Sequence, residues 1–277
     1  MERREAIEKL REGIRSGSRE KCRTIDDKYD RINAIRLLMV YLNEEVEDER
    51  NEVLNGLIED ARIKEIDDIA KMVIVEGTKF ANESKDKEKL VRVVDFIKEG
   101  YQVRGRRHFE DFLIAVEWNY NWENKPYEIR KNVLREWVEW LEDLEYARLK
   151  VLSISAPPRT GKTFLGVRYF VWCMLRHPDR SCFFVSHTAA MASKVYSDVI
   201  STIEEPKNEI TKIFPRGKIV QRNAEQNFIR LDNDSGNPYH TAYFRGIDGN
   251  MARSIGSELV IVLWWLDKEY RRSYEPR

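Results

Sequence analysis

Cysteine, proline and glycine are scarce in this 277-residue chain, and long apolar runs are absent. Its three cysteines, Cys22, Cys173 and Cys182, are too few and too scattered to predict a disulfide framework or a Cys-x-x-Cys metal site. The longest apolar run, Leu259–Leu266, is far shorter than the roughly 20 residues that cross a bilayer. Charged, helix-like sequence follows Met1 in place of an apolar signal region. We therefore expect a soluble, cytoplasmic protein with no membrane partner.

Histidine is also sparse, and charge of neither sign dominates. The 48 basic residues balance the 48 acidic ones, so net charge does not by itself indicate a nucleic-acid-binding surface. Hydrophobic residues make up 42% of the chain, which is enough for a sizeable core and rules out a wholly disordered protein. The four histidines show no metal-ligand spacing and are interpreted as ordinary surface or core residues: His108, His177, His187 and His240.

Residues 1–98 carry apolar side chains at helical spacing, as in Ile32, Ile35 and Met39. This pattern predicts an all-α N-terminal domain over residues 1–100, without recognisable chemistry. A turn-prone basic segment flanked by Gly100 and Gly105 then predicts a domain boundary.

Beyond residue 148, strand-like and helix-like segments alternate. This order predicts an α/β domain over residues 105–277, with a parallel sheet flanked by helices. The predicted strands are 149–155, 181–186, 226–231, 239–244 and 259–263, and the predicted helices are 162–175 and 188–203.

The most informative segment is Ala156-Pro-Pro-Arg-Thr-Gly-Lys-Thr163. Apart from its first residue it fits the phosphate-binding pattern G-x4-G-K-[ST], between a predicted strand and a predicted helix. Lys162 is expected to reach the terminal phosphates of ATP, and the Thr163 hydroxyl to bind Mg²⁺. Because alanine tolerates positive φ poorly, Ala156 is expected to strain the loop. The predicted nucleotide-binding residues of the loop are Pro158, Arg159, Thr160, Gly161, Lys162 and Thr163.

Arg159 lies inside this loop. Its guanidinium could stabilise charge on the γ-phosphate as an arginine finger, or it could be a solvated loop side chain. The loop chemistry leaves these two roles open.

Several segments together resemble the large subunit of tailed-phage terminases, the ATP-driven motors that package viral DNA. The resemblance covers about residues 105–262 and is most specific in the loop together with Tyr127-x-x-Arg130. The segments that carry it also include Phe109-Glu-Asp-Phe-Leu-Ile, Glu117-Trp118, Arg176-His-Pro-Asp179, Ser186-His187, Ile213-Phe-Pro215 and Arg245-Gly-Ile-Asp-Gly249.

The resemblance assigns roles to individual residues. It implies that Lys162 and Thr163 bind phosphate and Mg²⁺, that Arg159 is catalytic, and that Tyr127 and Arg130 contact the adenine base. It implies as partners double-stranded viral DNA, the small terminase subunit and the capsid portal, in the cytoplasm of a host bacterium.

The sequence departs from the family at its second acidic motif. Apolar residues Leu263–Trp265 stand where two adjacent acids are expected, and Asp267 and Glu269 follow a few residues late. Asp267 is a candidate replacement, but one residue of slip along a strand reverses the face a side chain takes. The family's nuclease domain is also missing, which is consistent with a truncated, frameshifted or decayed gene. We expect ATP binding with weak hydrolysis.

Two alternatives to a packaging ATPase stay open. One is a catalytically inactive prophage remnant that still binds nucleotide or packaging partners. The other is a P-loop NTPase of the helicase or recombination type.

Overall fold

The computed structural model describes residues 2–16, 24–49, 57–178, 181–232, 240–247 and 259–263. The chain divides into two compact units, Met1–Ala115 and Val116–Arg277. Over the described ranges, no helix combines the length and apolarity needed to cross a membrane.

The first unit is helical, as the sequence predicts for this part of the chain. Its helices are α1 (Glu2–Ser16), α2 (Ile25–Glu49), α3 (Leu57–Glu83) and α4 (Lys87–Arg104), and α5 (Phe109–Glu117) begins in it and crosses into the second unit. Apolar side chains at helical spacing are buried between the helices and form the core: Ile32, Ile35, Met39, Ile66, Val73, Val93 and Phe96.

Ion pairs between the helices show the relative directions of α2, α3 and α4. Arg31 on α2 pairs with Glu76 on α3, and Lys28 pairs with Glu83, so these two helices are antiparallel. Arg36 on α2 contacts Glu99 on α4 through two hydrogen bonds of 2.6 and 2.9 Å. The chain reverses at residues 84–86, so α4 packs antiparallel to α3.

The second unit is mixed α/β. Its helices are α6 (Pro126–Glu145), α7 (Lys162–Arg176), α8 (Ala189–Glu204) and the short α9 (Ile210–Ile213). Its strands are β1 (Cys182–Ser186), β2 (Ile219–Asn223), β3 (Phe228–Leu231), β4 (Ala242–Gly246) and β5 (Leu259–Leu263), in the spatial order β2-β3-β4-β1-β5.

The core of this unit lies between α7, α8 and the sheet. Phe170 of α7 packs edge-on against Phe184 of β1 and Phe244 of β4, with ring centroids 5.6 and 5.3 Å apart, and Tyr196 of α8 packs against the same Phe244. α7 ends a few residues before β1 begins, so the end of the helix lies near the start of the strand. The middle of α7 packs on the middle of β1 through Phe170 and Phe184, so α7 runs antiparallel to β1. The first turn of α7 therefore lies toward the carboxyl end of β1.

The prediction of a parallel sheet is wrong for part of the sheet. β1 is parallel to β4 and β5, but β2 and β3 are antiparallel, as are β3 and β4. Only a short turn at residues 224–227 joins β2 to β3, and parallel neighbours need a long crossover connection. Strand β2 was not predicted, since its exposed residues lack an apolar pattern.

The predicted strand at 149–155 is also wrong. Residues 151–157 form no helix or strand, and Val151 is 83% exposed. Exposed and half-buried residues do alternate along 151–156, as in a strand. A strand also needs a neighbour to share backbone hydrogen bonds, and the described ranges supply none to residues 151–155.

Candidate functional site

The candidate site is built around the loop that opens α7. Gly161 caps the helix with φ 101° and ψ 6°, in the left-handed region that glycine adopts without strain. Arg159 also has positive φ, at 65°. Ala156 does not, so the expectation that Ala156 strains the loop is wrong. The unusual backbone conformation lies at Arg159 instead.

Lys162 folds back over its own loop. Its Nζ donates hydrogen bonds to the carbonyl oxygens of Ala156 and Pro157, the second at 2.8 Å. The Thr160 hydroxyl donates to the same Pro157 oxygen at 2.9 Å. The loop is thus closed on itself, with the lysine ammonium held by two neutral carbonyls.

The position of the loop at the start of α7 favours the binding of an anion. The first backbone N–H groups of any α-helix lack intrahelical acceptors and carry partial positive charge. The first turn of α7 lies toward the carboxyl ends of β1 and its parallel neighbours, the edge at which open α/β sheets bind ligands. The Thr163 hydroxyl lies in that first turn and makes no hydrogen bond within the described residues.

The side chain of Arg130 lies close to Gly161 of the loop. A Cβ atom placed on Gly161 would lie 3.7 Å from Cδ of Arg130 and 3.4 Å from Cδ2 of Leu134. The Arg130 side chain is exposed, and its one hydrogen bond to any residue that the structure describes is a long 3.5 Å contact from Nη1 to the Pro126 oxygen.

Tyr127 takes a different environment. Its side chain is completely buried, at 0% exposure, and Nζ of Lys131 lies 5.7 Å from its ring centroid. The backbone N–H of Tyr127 donates to Oε1 of Glu117 at 2.9 Å. In this conformation the ring has no free face for a base.

Glu117 is a residue whose role the sequence did not reveal. The residue is 2% exposed, and its carboxylate accepts hydrogen bonds from the backbone N–H groups of Tyr127 and Glu128 at the start of α6. Burial raises the pKa of Glu117, although these two hydrogen bonds and the charge of Arg168 oppose the rise. The one sequence signal for this role is that an acid ends the apolar helix α5. The sequence does not show that the carboxylate accepts hydrogen bonds, because its acceptor role depends on the chain reversing over the ten residues between Glu117 and Tyr127.

A second carboxylate, that of the half-buried Glu145, joins the far ends of α6 and α7. It accepts the Cys173 thiol at 3.2 Å, lies 2.8 Å from Nε2 of His177 and forms an ion pair with Arg176. Burial raises the pKa of the Cys173 thiol, so the thiol keeps its proton and donates it to this hydrogen bond. With Arg130 beside Gly161 at one end and Glu145 beside His177 at the other, α6 and α7 run parallel.

The second acidic motif lies mostly beyond what the structure describes. β5 ends at Leu263, which pairs in register with Ser186 at the end of β1. Asp267, the candidate catalytic acid, and Glu269 lie outside the described residues, as do Asp248 and Gly249. Within the described ranges, no cluster of three or more His, Cys, Asp or Glu side chains is arranged to hold a metal ion.

Comparison with known proteins gives no relative for this chain: no protein-family model, curated protein or solved structure matches it.

Proposed function

We propose that residues 156–163 bind the phosphate groups of ATP and that the chain is a nucleotide-binding module of the packaging-motor type. The observation that carries this proposal is the pair of hydrogen bonds from Nζ of Lys162 to the carbonyl oxygens of Ala156 and Pro157, in a loop that ends at Gly161, the N-cap of α7. This arrangement keeps an ammonium group over the loop, where a phosphate oxygen could replace the neutral carbonyls with a stronger, charge-assisted partner.

The residues at the start of α7 fit a Mg²⁺-bound nucleotide. Thr163 would hold the ion through its hydroxyl, and the ion would neutralise charge on the phosphates. Lys162 and Arg159 add two positive charges on the same loop, and the N–H groups of the helix start supply neutral donors. The chain's own residues thus position and charge-balance the phosphate chain.

The wider activity rests on the resemblance to terminase large subunits. We propose that the chain takes part in ATP-driven packaging of double-stranded viral DNA in a bacterial cytoplasm, with the small terminase subunit and the capsid portal as partners. Arg159 would then stabilise the γ-phosphate during hydrolysis, and Asp267 would take the place of the missing acid.

A second candidate, nucleotide binding without efficient hydrolysis, is supported by the end of β5. Leu263 aligns with Ser186 at the carboxyl edge of the sheet, where the resemblance implies an acid. Loss of one preorganised catalytic group commonly lowers turnover about 10²–10³-fold. Phosphate release measured alongside ATP binding separates the two candidates.

The test of the site is a thermal-unfolding series with Mg-ATP. A ligand that binds only the folded state, at a hundredfold excess over its dissociation constant, stabilises it by about 2.7 kcal/mol. Lys162→Ala should remove the ATP-induced stabilisation. The matched control is Lys212→Ala, since Lys212 is an exposed lysine whose Nζ pairs with Glu209. An ATP shift that survives in Lys162→Ala, or no shift in the unmodified chain, contradicts the proposed site.

A further inference from the structure

Two side chains that the resemblance assigns to the adenine base occupy very different environments. Tyr127 is at 0% exposure and is anchored through its backbone to the buried Glu117, whereas Arg130 is exposed. Stacking on a base requires an open ring face, which Tyr127 lacks. Its burial instead indicates an anchor that fixes the first turn of α6.

That anchor places Arg130 against the phosphate loop. Arg130 lies one helical turn after Pro126, and its Cδ is 3.7 Å from the Cβ position of Gly161. Its guanidinium, which extends beyond Cδ, has the 3.5 Å contact with the Pro126 oxygen as its only hydrogen bond within the described residues. It is therefore available to a ligand at the loop.

The chemistry of this position suits phosphate better than a base. A guanidinium offers a planar fork of donors that matches phosphate oxygens, and it keeps its charge at any physiological pH. Arg130, Arg159 and Lys162 together place three positive charges around Gly161. A triphosphate, with its high negative charge, complements this set.

We propose that Arg130 binds the phosphate chain of the nucleotide and that Tyr127 holds α6 in place without contacting the base. This inference rests on the proposed function of the loop. It makes the site selective for the polyphosphate and leaves the choice of base to other residues.

The experiment is displacement of a fluorescent ATP analogue from the full chain by ATP, GTP and inorganic tripolyphosphate. In Arg130→Ala, ATP and tripolyphosphate should each bind about tenfold more weakly, because a hydrogen bond to a charged group is lost. The ratio of ATP to GTP affinity should stay as in the unmodified chain. Arg130→Lys keeps a point charge and should lie between the two.

The matched control is Arg135→Ala, which removes an exposed arginine of the same helix whose Nε pairs with Glu139. This control should leave all three affinities unchanged. A changed ATP to GTP ratio in Arg130→Ala, with tripolyphosphate affinity unaffected, overturns the inference in favour of a base contact. If the affinities are unchanged in Arg130→Ala but binding is lost in Lys162→Ala, the role of Arg130 is overturned and the proposed function of the loop stands. Absence of binding by the unmodified chain overturns both this inference and the proposed function.

Discussion

At the scale of single residues, replacing Gly161 with any residue that has a Cβ would cost folding free energy because of the backbone conformation alone. A Cβ atom there would meet Leu134 at 3.4 Å, an ordinary van der Waals distance, so space is not limiting. The φ of 101° is nevertheless a conformation that residues with a Cβ rarely adopt. Glycine is therefore required at this position by the helix entry itself, whether or not a phosphate binds.

Gly161→Ala should consequently lower the free energy of unfolding by about 1–2 kcal/mol. Urea titration followed by circular dichroism measures this loss. Gly13 provides the control, because it lies inside α1 with open space around its Cβ position, and alanine there should stabilise the helix by up to about 1 kcal/mol. Equal stabilities of Gly161→Ala and the unmodified chain would show that the loop relaxes to another conformation at no cost.

At the scale of elements, α6 and α7 are held together by the carboxylate of Glu145. Burial alone would raise the pKa of Glu145, but the hydrogen bond with His177, the charge of Arg176 and the Cys173 thiol outweigh it. The pKa of Glu145 therefore lies below its usual value. A carboxylate with a lowered pKa stabilises the fold above its unfolded pKa, and this stabilisation disappears as the pH falls through the folded value.

The unmodified chain should therefore lose stability between about pH 5 and pH 3 more steeply than Glu145→Gln does. The measurement is the urea midpoint across that range. Glu139→Gln is the control, because Glu139 lies on the same helix with a side chain that is 63% exposed. The same slope in Glu145→Gln as in the unmodified chain would show that Glu145 does not link the two helices through its charge.

The elements also show which parts of the structure a sequence can predict. α7, α8 and β1 are predicted because each has an apolar pattern bounded by local signals, such as His177-Pro178 after α7. The loop was recognisable because its residues are contiguous. The strand predicted at 149–155 has the correct alternation but no partner, since pairing depends on distant segments. Glu117 and Glu145 escaped prediction for the same reason: their partners are distant in sequence.

At the scale of the whole molecule, the two compact units suggest that the first folds by itself. Its bundle has a continuous apolar core. Arg104, at the end of α4, donates hydrogen bonds to the carboxylates of Asp67 in α3 and Asp111 in α5. These interactions all lie within residues 1–115. The unit thus contains the partners of this half-buried ionic network.

A fragment of residues 1–115 should give a helical circular-dichroism spectrum and one cooperative thermal transition. A fragment of residues 1–100 is the matched comparison, because it ends inside α4 and lacks both Arg104 and Asp111. It should melt at a lower temperature. A disordered spectrum for residues 1–115 would show that this unit needs the remainder of the chain in order to fold.

The irregular segment at 151–155, which has no strand partner among the described residues, has a consequence for how the protein is degraded. Exposed, irregular backbone is where proteases cut folded proteins most readily, and Lys150, an exposed tryptic site, immediately precedes Val151. A cut there severs the chain between the helix that carries Arg130 and the helix that carries Lys162. The contacts of Glu145 with His177 and Cys173 would then be among those that hold the two pieces together, so a nicked protein can retain its site.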